Sequence, residues 1–122
     1  LALRYYQDLV VWQRSMELVK EIYSLIKYLP KEELYGLSDQ MRRAAVSIPS
    51  NIAEGQARYS NKDFIRFLYI SRGSIAELET QLQICMHLEY VTSAEIDKAM
   101  GLCHHVSKLL NTLIKTLKEN GN

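Results

Sequence analysis

The apolar positions of this chain fall into four stretches with helical spacing, and its few prolines and glycines lie mostly between them. The first stretch covers residues 8–28, with Asp8 as the expected N-cap. Leu9, Trp12, Met16, Val19, Tyr23 and Ile26 recur at spacings of three and four and make one helix face. Leu29-Pro30 ends it, because proline pushes the preceding residue out of the α region. In the second stretch Ser38 lies near the start, and Leu37, Met41, Ala44, Ala45, Ile48 and Ile52 form the apolar face. Pro49 removes a backbone donor and crowds the preceding turn, which predicts a kink or break near Ile48. Gly55 then stands where a left-handed C-cap is expected.

Ser60 with Asp63 resembles a capping box and opens the longest helix, Asn61–His87, roughly 40 Å long at about 1.5 Å per residue. Phe64, Phe67, Leu68, Ser71, Ile75, Leu78, Leu82 and Cys85 make its core stripe. A second capping box, Thr92 with Glu95, starts a fourth helix carrying Ile96, Met100, Cys103, Val106, Leu110, Leu113, Ile114 and Leu117. No strand alternation or internal repeat competes with this pattern. Four amphipathic helices on short connections predict an all-α, up-down-up-down antiparallel four-helix bundle, one domain over residues 1–122.

Two helices carry more than a core stripe. On the third, Tyr69, Gly73, Ala76, Thr80 and Ile84 cluster opposite the core at about 100° per residue. Gly73 costs roughly 1 kcal/mol relative to Ala in mid-helix, so this small-residue face is read as a subunit interface. On the second, Gln40, Arg43, Ser47, Asn51 and Glu54 line one flank, opposite a polar edge of Ser74, Glu77 and Gln81. A hydrogen-bonded network between them is expected, with Arg43 or Arg42 answering Glu77 or Glu54. An ordinary solvated flank is the plainer alternative.

Composition narrows the function. Hydrophobic residues make up 48% of the chain and charged residues 24%, the balance of a soluble globular domain. No apolar run approaches the roughly 18–20 residues of a membrane span, and residues 1–8 lack the three-part layout of a signal peptide. Cys85 and Cys103 are too few and too far apart for a disulfide framework or a CxxC site, and both fall among apolar helical positions. The expected setting is the cytoplasm, with both thiols reduced and buried. The Glu-x-x-His pairs of di-iron bundles are absent, as are a phosphate-binding glycine loop, HExxH and a nucleophile elbow. These readings predict a protein that is not an enzyme and uses no metal or cofactor.

The net charge of +1 hides an uneven distribution. Residues 38–72 hold six basic groups against three acidic, whereas residues 73–97 hold five acidic groups and no Lys or Arg. Arg42, Arg58, Lys62, Arg66 and Arg72 gather around the junction of helices two and three, with Tyr59 nearby, as a candidate phosphate-binding surface. The basic and acidic stretches also suit head-to-tail contact between subunits, the arrangement that closes rings. The two uses compete for the same charges.

The run from Tyr35 through Gly55, which includes Ser-Ile-Pro-Ser-Asn-Ile-Ala-Glu-Gly, adds a family resemblance. So do Asp8-Leu9 and Val11-Trp12 before it and Gly73-Ser-Ile-Ala-Glu-Leu-Glu79 after it. Over nearly the whole chain it resembles the bacterial four-helix-bundle proteins encoded in intervening sequences of 23S ribosomal RNA genes, once labelled a ribosomal protein family. More distantly it is similar to the accessory variability proteins of diversity-generating retroelements, pentameric barrels that bind nucleic acid and a reverse transcriptase. The resemblance implies a homopentameric ring without known catalytic activity and supplies no catalytic residues. The expected partners are therefore further copies of the chain and structured RNA or an RNA-binding protein, with no membrane. The alternative is a structural scaffold or protein-partner adaptor that binds no nucleic acid.

Overall fold

A computed structural model describes residues 5–121; residues 1–4 and Asn122, at the ends of the sequence reading, lie outside the described residues. Four helices make the fold: α1 (Val10–Leu25), α2 (Leu37–Gln56), α3 (Asn61–His87) and α4 (Ser93–Glu119). Single 3-10 turns at Tyr6–Asp8, Ile26–Tyr28 and Lys31–Glu33 flank α1 and lead into α2. Each helix packs on its neighbours in sequence and α4 closes back on α1, so the four stand at the corners of a square. No strand occurs among the described residues.

The ends of the helices follow from local chemistry. Thr92 Oγ1 accepts from the Glu95 N–H at 3.2 Å while the Glu95 carboxylate accepts from the Thr92 N–H at 2.8 Å, the reciprocal box expected at α4. Ser60 Oγ accepts from the Asp63 N–H at 3.3 Å and starts α3. Such caps stabilise by about 1 kcal/mol each. At α2 the cap comes from further back. Glu33 Oε1 accepts from the Leu37 N–H at 3.1 Å, and Glu33 Oε2 accepts from the Tyr90 hydroxyl at 2.8 Å. One carboxylate thus ties the start of α2 to the α3–α4 turn, and its hydrogen bond pushes the Tyr90 phenol pKa up. Asp8 is not the cap of α1; it lies in the preceding 3-10 turn, and Leu9 takes the N-cap position without a side-chain bond.

The core face of α1 is rotated by one residue from the expected one. Val11, Ser15, Leu18, Ile22 and Leu25 are buried. Trp12, Val19 and Ile26 only flank the core, and Met16 and Tyr23 are each 43% exposed. The helix carries two adjacent apolar stripes, and the one with the smaller residue faces inward. Ser15 is tolerated there because its hydroxyl donates to the Trp12 carbonyl at 2.8 Å. On α3 and α4 the core stripes are the expected ones, with Gln81 and Ala99 also buried and Phe64, Met100, Leu113 and Leu117 partly so.

α2 departs from the sequence reading at two points. Of the kink or break expected near Ile48, the break does not occur, since Pro49 lies inside a continuous helix, and Gly55 is not a left-handed cap but an interior residue of the last turn. Packing against α3 holds this segment. Ser71 Oγ donates to the Ile48 carbonyl at 2.9 Å, beside the proline. At Gly55 an added Cβ would lie 2.7 Å from Phe67 Cβ and 3.0 Å from Phe64 Cδ1. The glycine is there for close approach, not for its backbone freedom. Left-handed backbone is found instead at Tyr59 (φ 55°) and Glu89 (φ 63°), which turn the chain into and out of α3, and at Gly121 (φ 70°).

Gly55 and Gly101 therefore predict opposite responses to the same substitution. A Cβ at Gly101 meets nothing within 4 Å, so Gly101→Ala should raise unfolding stability by about 1 kcal/mol through helix propensity. Gly55→Ala should lower it by about 1–3 kcal/mol, because α3 must move to admit the methyl group. Urea denaturation of the two variants checks both signs.

Candidate nucleic-acid interface and assembly faces

The structure divides the expected basic surface into three parts. At the α2–α3 corner, the guanidinium carbons of Arg58 and Arg66 lie 5.0 and 4.6 Å from the centroid of one ring, that of Phe67. Phe67 itself is buried, so the ring is a floor on which two cations rest rather than a platform for a base. Arg58 also pairs with Glu54 at 2.8 Å, and Arg66 approaches Asp63 at 3.9 Å. Lys62 projects from the same end of α3 and forms no hydrogen bond or ion pair among the described residues. Tyr59, 84% exposed, stands beside them on its left-handed backbone.

Arg42 belongs elsewhere. It lies fourteen positions before the end of α2 at Gln56, about 21 Å of helix, and its Nη2 donates to the Leu34 carbonyl at 3.3 Å. Arg72 is separate too: it reaches across to α4, where its Nη1 donates to Asn111 Oδ1 at 2.9 Å.

The polar flank of α2 forms only in part. The hydroxyls of Ser47 and Ser74 hydrogen-bond across the α2–α3 seam, and Asn51 Nδ2 donates to the Ser47 carbonyl at 2.8 Å. The expected arginine bridges to α3 are absent. Arg43 and Arg42 both turn to Asp39 on their own helix, at 3.0 and 3.8 Å, and Glu54 is taken by Arg58. Gln40 and Glu77 are exposed. Side chains three and four residues apart already face one another on a helix, and that short reach wins over a bridge to α3. Gln81 is buried instead, and its Oε1 has no hydrogen-bond partner.

Two apolar surfaces face outward. On α3, Tyr69, Gly73, Ala76, Thr80 and Ile84 are all exposed, and a Cβ on Gly73 would meet nothing within 4 Å. Thr80 turns its hydroxyl back onto the Ala76 carbonyl at 2.9 Å, which leaves its methyl outermost. The second surface was hidden in the sequence by the rotated face of α1. Tyr6, Trp12, Met16 and Val19 line a groove against Val46, Pro49 and Ala53 of α2. The wide apolar arc of α1, larger than one core stripe needs, was the available signal.

The titratable nucleophiles lie inside. Cys85 and Cys103 are free and buried, and removal from water pushes their thiol pKa values up to about 11 and about 12. No group of His, Cys, Asp and Glu with metal-binding geometry occurs among the described residues, and no helix there is long and apolar enough to cross a membrane.

Fold and surface define the class: an all-α four-helix-bundle protein whose distinctive groups are charged and apolar patches on the outside of the bundle. The chain belongs to the 23S rRNA-intervening sequence protein family, whose model matches residues 7–112. Its fold is similar to a crystal structure of a protein with unknown function from the S23 ribosomal protein family of Bacteroides thetaiotaomicron. That comparison has a TM-score of 0.79 and 30% identity, covering 86% of this chain and 98% of that one. No curated protein matches the sequence.

The thiols give a test of the interior. Each is held protonated in the fold, so it contributes stability below its unfolded pKa of about 9, which is lost as pH rises toward 11–12. Both should resist alkylation at pH 8 in the native protein and react at once in denaturant. Mass spectrometry after iodoacetamide treatment reads the difference.

Proposed function

We propose that the protein is a non-catalytic, ring-forming oligomer that binds structured RNA or an RNA–protein complex through its basic surface. The observation that carries the RNA reading is the α2–α3 corner. Two guanidinium groups rest on one ring, beside an unpaired lysine and an exposed tyrosine. Guanidinium groups fixed in this way lose little freedom on meeting phosphate. Exposed ion pairs such as Arg58–Glu54 are worth about 0.2–1 kcal/mol, little enough for a phosphate to displace. Membership of a family named for 23S rRNA intervening sequences makes ribosomal RNA the first ligand to try.

The assembly reading rests on the two unlike apolar surfaces. A ridge on α3 and a groove between α1 and α2 suit a heterologous contact, in which each subunit offers its ridge to the groove of the next. Contacts of that kind close into rings. Five subunits is the number the family resemblance implies. If the charged stretches serve these contacts alone, the protein is a scaffold.

Fluorescence anisotropy with structured ribosomal RNA across a salt series separates the two. Binding should fall steeply with salt, and by about tenfold or more when Arg58, Lys62 and Arg66 are changed to Ala in an intact oligomer. No binding at low salt leaves the scaffold. For assembly, Gly73→Arg on the ridge and Val46→Arg in the groove should each give monomers by light scattering. Mixed together they should form a one-to-one pair, since one ridge and one groove remain intact. An unchanged oligomer in either variant would sink the ridge-to-groove contact.

A further inference from the structure

The cations of α4 were not singled out by the sequence, yet three of the molecule's positive groups converge where α3 meets that helix. Arg14, Arg42, Arg43, Arg58 and Arg66 each have a carboxylate within ion-pair distance. Arg72 is the one described arginine without such a partner. It is nevertheless held firmly. Its guanidinium carbon lies 4.6 Å from the Tyr69 ring centroid, and its single hydrogen bond goes to the neutral amide oxygen of Asn111. From α4, Lys118 Nζ lies 5.3 Å from the same centroid and donates to the Tyr69 hydroxyl at 2.7 Å. Lys115, one turn before it, forms no hydrogen bond or ion pair among the described residues.

Arg72, Asn111, Lys115 and Lys118 line a cleft of about 450 Å³, with Ile114 as its apolar floor and Glu119 as its only carboxylate. A guanidinium offers five N–H donors and an ammonium three. Arg72 and Lys118 spend one each and Lys115 none, so most of their donors remain for a ligand with several acceptor oxygens. The phenol adds support: the Lys118 hydrogen bond, helped by the nearby charge of Arg72, lowers its pKa. That direction marks surroundings that favour negative charge.

We propose that this α3–α4 cleft is a phosphate-binding site, in which Arg72, Lys115 and Lys118 grip a phosphate group carried by RNA or by a small phosphorylated molecule. The RNA source rests on the function proposed above; the small-molecule source does not. Pyrophosphate is the probe for the site itself, by calorimetry at low salt, with circular dichroism and light scattering confirming each variant's fold and assembly. Wild type should bind it saturably, and Arg72→Gln and Lys115→Gln should each weaken binding about tenfold, while Lys20→Gln on α1 leaves it unchanged. No saturable binding, or equal loss in all three variants, overturns the proposal. The same variants in the RNA assay identify the source. A matching loss of RNA affinity assigns the cleft to RNA, and unchanged RNA affinity with lost pyrophosphate binding assigns it to a small phosphorylated molecule. If wild type takes pyrophosphate but no RNA, the nucleic-acid reading falls and the cleft stands. If it takes RNA but no pyrophosphate, the reverse holds.

Discussion

The close seam between α2 and α3 is the constraint on which the rest of the molecule depends. Along it Met41 meets Cys85 at 3.5 Å, Ser47 meets Ser74, the Ile48 carbonyl meets Ser71, and Gly55 lies under Phe67. Position falls on one helix as it rises on the other, so the contacts fix an antiparallel register at several points. Small residues on α2 make this possible: Ser47 meets another serine, and Gly55 leaves room for Phe64 and Phe67 of α3. The hydroxyls that cross the seam hold only while the backbones remain this close. A proline in the middle of α2 survives because its surroundings are held from the other side.

That seam also decides what is left outside. With α2 committed to α3 along its small-residue face, α1 packs on α2 through a different flank and places Val11, Leu18 and Ile22 in the core. Its second stripe, Trp12, Met16 and Val19, is left beside Val46 and Ala53 as a groove. On α3 the face turned away from both neighbours carries Gly73 and Ala76, a ridge low enough for a second backbone to approach. The exposed apolar surfaces are therefore by-products of how the core closes.

The architecture was legible because periodicity and capping chemistry act locally. α3 and its Ser60 cap, and α4 with its Thr92–Glu95 box, stand where the pattern put them. The errors have a different origin. Asp8 and Gly55 have intrinsic preferences for capping, and at each one an adjacent turn or a tertiary neighbour overrules the preference. Nothing in the spacing of α1 could rank its two apolar stripes, since that choice depends on which flank of α2 is free. The basic residues were legible as a group but not in their grouping. Arg42, Arg58 and Arg72 look alike in sequence, and only the packing of the helices assigns them to Leu34, Phe67 and Asn111.

Electrostatic strength on such a surface depends less on the number of cations than on what each already touches. Arg42 and Arg43 share the single carboxylate of Asp39 and lie toward the start of α2, which leaves them little field of their own. At the α2–α3 corner the carboxylates of Glu54 and Asp63 orient Arg58 and Arg66 at exposed positions, where water and salt screen the pairs. On the α3–α4 side Arg72 and Lys118 are oriented by a phenol and an amide instead, groups that position a cation without neutralising it. Both cationic surfaces include residues of α3. Lys62, Arg66 and Arg72 span ten positions of that one helix, about 15 Å of rise. The helix that fixes the core register against α2 thus also fixes the spacing of the two charged surfaces, so a shift of the seam would move core and surface together.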